Sequence, residues 1–358
     1  MVIIGDNKYK LGGIKVKTFD GYKKGVNLGG WLSQCGNNYN ENHYRNFITE
    51  PDIRKIASWG CDHVRLPVDY NVIQTEDGEF IERGFEHIDN CIAWCKKNNL
   101  KMVLDLHKAK GYVFDDAEYV GFFKDKGLQD QFVSLWLEII RRYGEHKDMM
   151  AFELLNEVTE RDFAEPWNDI YERTIREIRT INKDCTLIVG GVFNSSIFGL
   201  TLMRKPIDPN VVYTVHCYSP LIFTHQSAYW IATMPHDYKL SYPGKVEDYA
   251  AESRKVFGSD FDEEFVDLND DTMSSDFFDH LFKIARDKAE EFDVALYCGE
   301  YGVIDQTNPE DQLAWYKDIN AMFEKYNMPR TAWSYKQMDF GLSDERLSGI
   351  LPELVKYL

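Results

Sequence analysis

Eight short apolar runs, each of strand length, constrain this chain more than any other feature of its sequence. They are Gly25–Trp31, His63–Tyr70, Lys101–His107, Ala151–Glu157, Thr186–Val192, Val211–Tyr218, Val294–Gly302 and Thr331–Asp339. Between most of them apolar residues recur at helical spacing, as in Phe85, Ile88, Ile92 and Trp94-Cys95, or Phe132, Leu135, Ile139 and Ile140. Pro51, after Thr49-Glu50, predicts a helix start, and Trp59-Gly60 predicts its end. Strands alternating with helices in this number predict a parallel sheet closed into a (β/α)₈ TIM barrel. An open doubly wound sheet is the competing arrangement. It would usually carry a Gly-rich phosphate loop after its first strand, and none is there.

Two segments break the rhythm. Within Ile3–Asp20, Tyr9-Lys10-Leu11 and Ile14–Val16 flank Gly12-Gly13, which predicts an N-terminal hairpin ahead of the barrel. Between strand six and its helix lie 55 residues, 219–273. Ordinary βα loops hold about 2–6, so a small subdomain is expected there. Its end, Asp260–Asp271, carries seven acidic residues and no basic one. A calcium loop would need EF-hand spacing and its Gly, so a solvated acidic face is the reading taken. With no repeat, low-complexity tract or interdomain linker, residues 1–358 are expected to form one catalytic barrel domain with 219–273 inserted in it.

Composition narrows the partners. Lys and Arg number 41 against 59 Asp and Glu, a net charge of −18. Such a surface repels phosphate backbones, anionic membranes and polyanionic sugars, and favours a neutral substrate. No run approaches ~18 apolar residues, so no transmembrane helix is expected. The first residues lack a basic stretch followed by a long apolar one, so no signal peptide is expected on the chain as it stands. The seven cysteines (Cys35, Cys61, Cys91, Cys95, Cys185, Cys217, Cys298) are odd in number and contain no CxxC pair. Buried free thiols and a reducing, cytoplasmic location are therefore expected, or secretion if a leader has been removed. A monomer is expected.

In such a barrel, functional groups gather at the C-terminal ends of the strands. Strand two offers Arg65 there, three His107, four Asn156-Glu157, six His216 and Tyr218, seven Glu300, and eight Trp333. A lone strand-end His or Glu is more often a satisfied core group or an ion pair. The signal is convergence at one end. Glu157 and Glu300, 143 residues apart on strands four and seven, should face each other across the barrel mouth. Glycosidic cleavage needs that arrangement: one carboxylic acid protonates the leaving oxygen while an opposed carboxylate attacks the anomeric carbon. An acid/base must start protonated, and a nucleophile must stay charged, which Arg65 beside Glu300 would favour. The Glu300 charge would in turn discourage ionisation of Glu157. Glu153, four residues before Glu157, is expected to be a buried carboxylate paired with a neighbouring base.

The motifs Gly25-Val26-Asn27-Leu28-Gly29-Gly30-Trp31-Leu32, His63-Val64-Arg65-Leu66-Pro67, Leu104-Asp105-Leu106-His107, Leu155-Asn156-Glu157, Val215-His216-Cys217-Tyr218, Gly299-Glu300-Tyr301-Gly302 and Trp333-Ser334-Tyr335 run in order through nearly the whole chain. Together they resemble glycoside hydrolase family 5, in the cellulase clan. Phe47-Ile48-Thr49-Glu50, Phe223-Thr224-His225-Gln226, Tyr297-Cys298-Gly299-Glu300 and the insertion after strand six resemble its clostridial endoglucanase C branch. The resemblance implies that Glu157 is acid/base and Glu300 nucleophile. Arg65 and Tyr218 would hydrogen-bond Glu300, Asn156 and His107 would hold sugar hydroxyls, His216 would lie near Glu157, and Trp333 would be a stacking platform. Trp31 is a further candidate for substrate contact. Lys110 departs from the branch, which usually has Pro in the loop after His107. The implied activity is a retaining endo-β-glucanase cleaving β-1,4 or mixed β-1,3-1,4 glucan, without metal or cofactor.

Other readings stay open at this point. Within the family they are mannanase and exo-β-1,3-glucanase. Outside it, a metal-dependent barrel hydrolase would use His107, His216, Glu157 and Glu300, but would commonly need a His pair in one strand. A non-catalytic carbohydrate-binding barrel would be expected to lack one of the two carboxylates.

Overall fold

Side chains alternate along each strand, and in a closed barrel both sets end up buried, one inside and one under the helices. The computed structural model describes residues 17–114, 120–266, 268 and 270–358. Its strands are β1 (Lys24–Asn27), β2 (His63–Asp69), β3 (Lys101–Lys108), β4 (Met150–Glu153), β5 (Thr186–Gly190), β6 (Val211–His216), β7 (Ala295–Tyr301) and β8 (Arg330–Ala332). They close in sequence order, all parallel, with β8 paired back onto β1. The outer layer includes α1 (Glu50–Ser58), α2 (Glu82–Lys97), α3 (Lys126–Tyr143), α4 (Ala164–Ile181), the single turn α5 (Ile197–Leu200), α6 (Ser275–Phe292), α7 (Pro309–Lys325) and the short α8 (Leu351–Leu354). The (β/α)₈ barrel is thus the fold. The start of α1 follows its sequence signal: Pro51 sits in the first turn, and the Asp52 carboxylate accepts from the Thr49 N–H at 2.8 Å.

Outward residues such as Val26, Val64, Leu104, Phe152, Leu187 and Val215 join the large apolar layer beneath the helices. Inward residues grade from apolar to polar along the axis. Val103, Ala151, Ile188, Val212 and Ala295 fill the N-terminal end with Phe19 and Tyr22, whose rings stack 4.0 Å apart and plug the barrel floor. Above them the inward positions become His63, Tyr297 and Thr331, then Asn27, Arg65, Asp105 and Glu153, all buried. With the floor closed, these polar groups open only toward the C-terminal mouth.

Several strands end earlier than the apolar runs do. β4 stops at Glu153 rather than Glu157, β1 at Asn27 rather than Trp31, and β8 at Ala332 rather than Asp339. Past β4 the backbone stays pinned to both neighbours, Leu154 N–H donating to Ile188 C=O (3.0 Å) and Asn156 N–H to Leu106 C=O (3.1 Å). Apolar residues persist there because the mouth is still buried, although the regular ladder has ended.

The strands of the expected hairpin, at 9–11 and 14–16, lie outside the described residues. The segment after β6 contains a one-turn helix, Leu221–Thr224, and a longer one, Val246–Phe257. Its buried Phe223, Met234, Tyr242, Tyr249 and Val256 belong to the same continuous apolar cluster as the barrel's outer layer. The seven cysteines are free and buried. Among the described residues no helix is long and apolar enough to cross a membrane.

Close approach at Gly84, in the first turn of α2, joins that helix to the segment after β2. A Cβ there would lie 1.9 Å from the Val72 carbonyl oxygen. Gly84→Ala is expected to cost about 1–3 kcal/mol in denaturant unfolding. Gly349→Ala, where nothing lies within 4 Å of the added atom, should leave the midpoint within error. Equal midpoints for both variants would contradict this packing.

Candidate active site

The mouth is organised by Arg65, which β2 projects inward with no exposed surface. Its Nη1 donates to Asn27 Oδ1 (3.0 Å) and Glu300 Oε1 (2.7 Å). Its Nη2 donates to Glu153 Oε1 (2.9 Å) and Asn156 Oδ1 (2.8 Å), and lies 3.0 Å from Asp105 Oδ2. Its Nε donates to Glu153 Oε2 at 2.7 Å. Burial opposes the charge of this guanidinium, but the carboxylates of Asp105, Glu153 and Glu300 outweigh it and hold Arg65 protonated. The paired, buried role expected for Glu153 is what the geometry has.

Glu300 reaches the mouth through a break in the β7 ladder. Strict alternation would send it outward with Cys298, which packs in the outer layer. The register shifts between Cys298 and Tyr301 on one side, and between Val215 and His216 on the other. That irregularity turns Glu300 inward. Gly299 permits it, since a Cβ there would lie 2.7 Å from Thr214 Oγ1. Asn27 Nδ2 donates to the Gly299 carbonyl at 2.9 Å. Tyr218 Oη then donates to Glu300 Oε2 at 2.9 Å, so each oxygen of Glu300 has its own donor.

Glu157 sits in a different environment. Its side chain is only 12% exposed. Oε1 lies 2.7 Å from His216 Nδ1, and Oε2 accepts from Asn194 Nδ2 at 2.9 Å. Burial raises its pKa to about 7, against the lowering effects of the Asn194 hydrogen bond and Arg65. The shift has the expected direction, but burial leads it, where the sequence reading looked to the Glu300 charge. His216 is held below the usual imidazole range by burial, and so stays neutral.

Glu157, His216 and Glu300 place their nearest ligand atoms within 4.8 Å of one another. Two carboxylates and one imidazole could in principle hold a cation. The Arg65 charge 2.7 Å from Glu300 and the Tyr218 hydroxyl already satisfy that carboxylate, which disfavours a second cation.

His107 donates or accepts through Nδ1 with Asp105 Oδ2 at 2.7 Å, while its buried Nε2 has no partner among the described residues. Burial holds His107 near pKa 3, so it is neutral. Its ring lies parallel to Trp333, 5.6 Å away with 3° between planes. Trp333 in turn fits only over glycine, since a Cβ on Gly29 would lie 2.8 Å from the indole. Lys110 binds the Glu76 backbone carbonyl and lies 3.6 Å from the Glu76 carboxylate, tying the β3 loop to the segment after β2.

The structure therefore brings together Arg65, His107, Asn156, Glu157, His216, Tyr218, Glu300 and Trp333. Trp31 is a correction. The chain turns at Gly30 (φ 77°), and Trp31 is buried behind the barrel, stacked on Trp94 and donating to the Tyr44 carbonyl at 2.7 Å. Three contributors were missed: Asn27, Asp105 and Asn194. Asn27 and Asp105 stand inside quoted motifs, and their inward position on the alternation was the available signal. Asn194 lies beyond β5, whose end offered no recognisable group.

Of the insertion's aromatics, Tyr242 is buried and donates to Asp318 Oδ2 (2.7 Å), and Tyr238 packs against the core. Tyr229 and Trp230 remain 70% and 44% exposed. Trp230 contacts His225 and Phe340, and both of these rings contact Tyr218 at the mouth.

Residues 19–339 match the model of the Cellulase (glycosyl hydrolase family 5) family. Cellodextrinase A from Ruminococcus flavefaciens is 42% identical over 311 residues, covering 87% of this chain and 84% of that protein. Endoglucanase C from Acetivibrio thermocellus is 37% identical over 343 residues, covering 94% and 98%. The crystal structure of endoglucanase Cel5A from Thermotoga maritima has the same fold, with a TM-score of 0.72 at 23% identity over 94% and 97% of the two chains. The family match runs through all eight strands and the whole polar mouth, and the chain belongs to glycoside hydrolase family 5, as an endoglucanase-like glycoside hydrolase.

Proposed function

We propose that this enzyme is a retaining endo-β-glucanase acting on neutral β-1,4 or mixed β-1,3-1,4 glucan, with Glu157 as acid/base and Glu300 as nucleophile. The observation that carries the proposal is the pair itself: oxygens of two carboxyl groups within 4.8 Å, in unlike surroundings. Retention needs carboxyl groups about 5–5.5 Å apart, whereas inversion needs about 6.5–9.5 Å to admit water. In the first step a Glu300 oxygen attacks the anomeric carbon. The bond to the leaving oxygen breaks, and the Glu157 proton goes to that oxygen. In the second step Glu157, now a carboxylate, takes a proton from water, whose oxygen attacks the anomeric carbon and displaces Glu300. The charged donor from Arg65 suits a nucleophile, and the raised pKa of Glu157 suits an acid near neutrality. The Nε2 of His107, without a partner among the described residues, and the face of Trp333 would meet a hydroxyl and the C–H face of the sugar at the cleaved bond.

Cleavage of short oligosaccharides is a second reading, favoured by the relative named Cellodextrinase A. A panel of carboxymethylcellulose, barley β-glucan, laminarin, mannan and cellodextrins, read by reducing sugar, separates the two.

Glu300→Gln should abolish turnover on every substrate. Glu157→Gln should release dinitrophenol rapidly from a dinitrophenyl cellobioside and then turn over slowly, because that leaving group needs no proton. For the native enzyme on an unactivated oligosaccharide, kcat/KM should fall as pH rises through about 7, where Glu157 loses its proton. That limb should be absent from the Glu157→Gln burst. Equal losses in both variants on the activated substrate would sink the assignment.

Trp230 tests whether the insertion forms a wall of the cleft. Its buried aromatics are shared with the barrel's outer layer, so a point change is cleaner than excision. Trp230→Ala should lower kcat/KM by about tenfold on cellotetraose and longer chains, and hardly at all on an aryl cellobioside. A uniform loss across chain lengths would place Trp230 away from the substrate.

A further inference from the structure

We infer that Asn194 is a positioning residue for Glu157, held in place by the inserted segment after β6. The inference rests on the reading of Glu157 as acid/base. Asn194 reaches Glu157 from a stretch of backbone that few sequences would adopt. Phe193, Asn194 and Ser195 have φ of 55°, 53° and 52°, three successive non-glycine residues in the left-handed region. Such conformations persist only where the surroundings enforce them, and they gather at functional sites.

The surroundings that enforce it are identifiable. Asn194 N–H donates to the Val158 carbonyl (3.0 Å), and Ser195 Oγ donates to the Asn156 carbonyl (3.1 Å). The loop is thereby tied to the backbone on either side of Glu157. Phe193 points the other way. Its ring stacks on that of Phe261 in the insertion, with centroids 5.5 Å apart, and the Arg161 guanidinium lies 4.3 Å from the same ring's centroid. Arg161 also lies 3.4 Å from Glu263 of the insertion. The insertion therefore grips the β5 loop one residue before the amide that touches Glu157.

The amide does something a charged donor could not. A neutral N–H on Oε2 aims the carboxyl group in both of its protonation states, and it favours the carboxylate moderately. The groups around Glu157 are His216 from β6, Tyr218 just beyond it, Glu300 from β7, Arg65 from β2, Asp105 from β3, and Tyr112, whose hydroxyl donates to the Glu157 carbonyl at 2.7 Å. Among the described residues, Asn194 and His216 are the side chains hydrogen-bonded to the Glu157 carboxyl oxygens. Losing the Asn194 donor should weaken the acid, so Glu157 would hold its proton to higher pH.

Asn194→Gly removes the amide and keeps a residue at ease in the left-handed region, so loss of fold is not built into the test. Asn194→Asp keeps size and backbone preference but sets a second carboxylate beside Glu157. On an unactivated oligosaccharide the basic limb of kcat/KM should move up by roughly 0.5–1 pH unit in Asn194→Gly, and further in Asn194→Asp. The value at the optimum should fall about tenfold. Phe261→Ala should shift the limb in the same direction by less. A limb unmoved in both Asn194 variants, with activity merely scaled down at every pH, would overturn the positioning role. A limb unmoved in Phe261→Ala alone would overturn the anchoring by the insertion. Failure of the underlying reading shows separately, as loss of the dinitrophenol burst from Glu157→Gln in otherwise native protein.

Discussion

A single buried guanidinium holds the mouth of this barrel together. Arg65 binds acceptors from β1, β3, the end of β4 and β7, and three of those acceptors are carboxyl groups. Placing one cation among so many acids is tolerable only when every donor is used, because removing a partner from a buried pair leaves an uncompensated charge. The excess of acid shows in Asp105, which burial raises to about 7 despite Arg65, and in Glu153, which burial also raises. The fork of Arg65 also has a geometric consequence. Its planar donors set the relative positions of four strand ends, and so where Asn156 and Glu300 stand at the mouth.

Around that hub the two catalytic candidates are treated differently. Glu300 takes a charged donor and a phenol, one on each oxygen. Glu157, facing it from beyond the end of β4, takes a neutral imidazole and a neutral amide. What separates the pair is which one Arg65 touches directly, and that follows from the inward turn at Gly299-Glu300.

The outer parts of the site depend on pieces added to the barrel. The insertion contributes the exposed Trp230 on one side and grips the β5 loop through Phe261 on another. Its buried residues merge with the barrel's apolar layer, so it is packed onto the barrel as part of the same core. Elements placed this way can alter which glycan is accepted without disturbing the central residues, since loops at the C-terminal face vary while the strands that carry the chemistry stay put.

The sequence alone determined the barrel, its strand order and most of its polar mouth. Strands covered on both faces read as apolar runs, so an ionisable residue at the end of one stands out, as Arg65, His107, Glu157, His216 and Glu300 do. The seven ordered motifs carried the family on the same residues. Tertiary structure decided what depends on register and direction, where one residue changes the face a side chain occupies. Alternation would have turned Glu300 outward with Cys298, and a break in the β7 ladder turns it in. Alternation would have left Trp31 on the inward series with Asn27, and the turn at Gly30 buries it behind the barrel. Asn194 had no motif, because its position comes from a left-handed backbone enforced by residues about thirty to seventy positions away. Local patterns record which residues are buried, whereas the aim of a side chain is settled by the contacts of its neighbours, and those exist only once the barrel has closed.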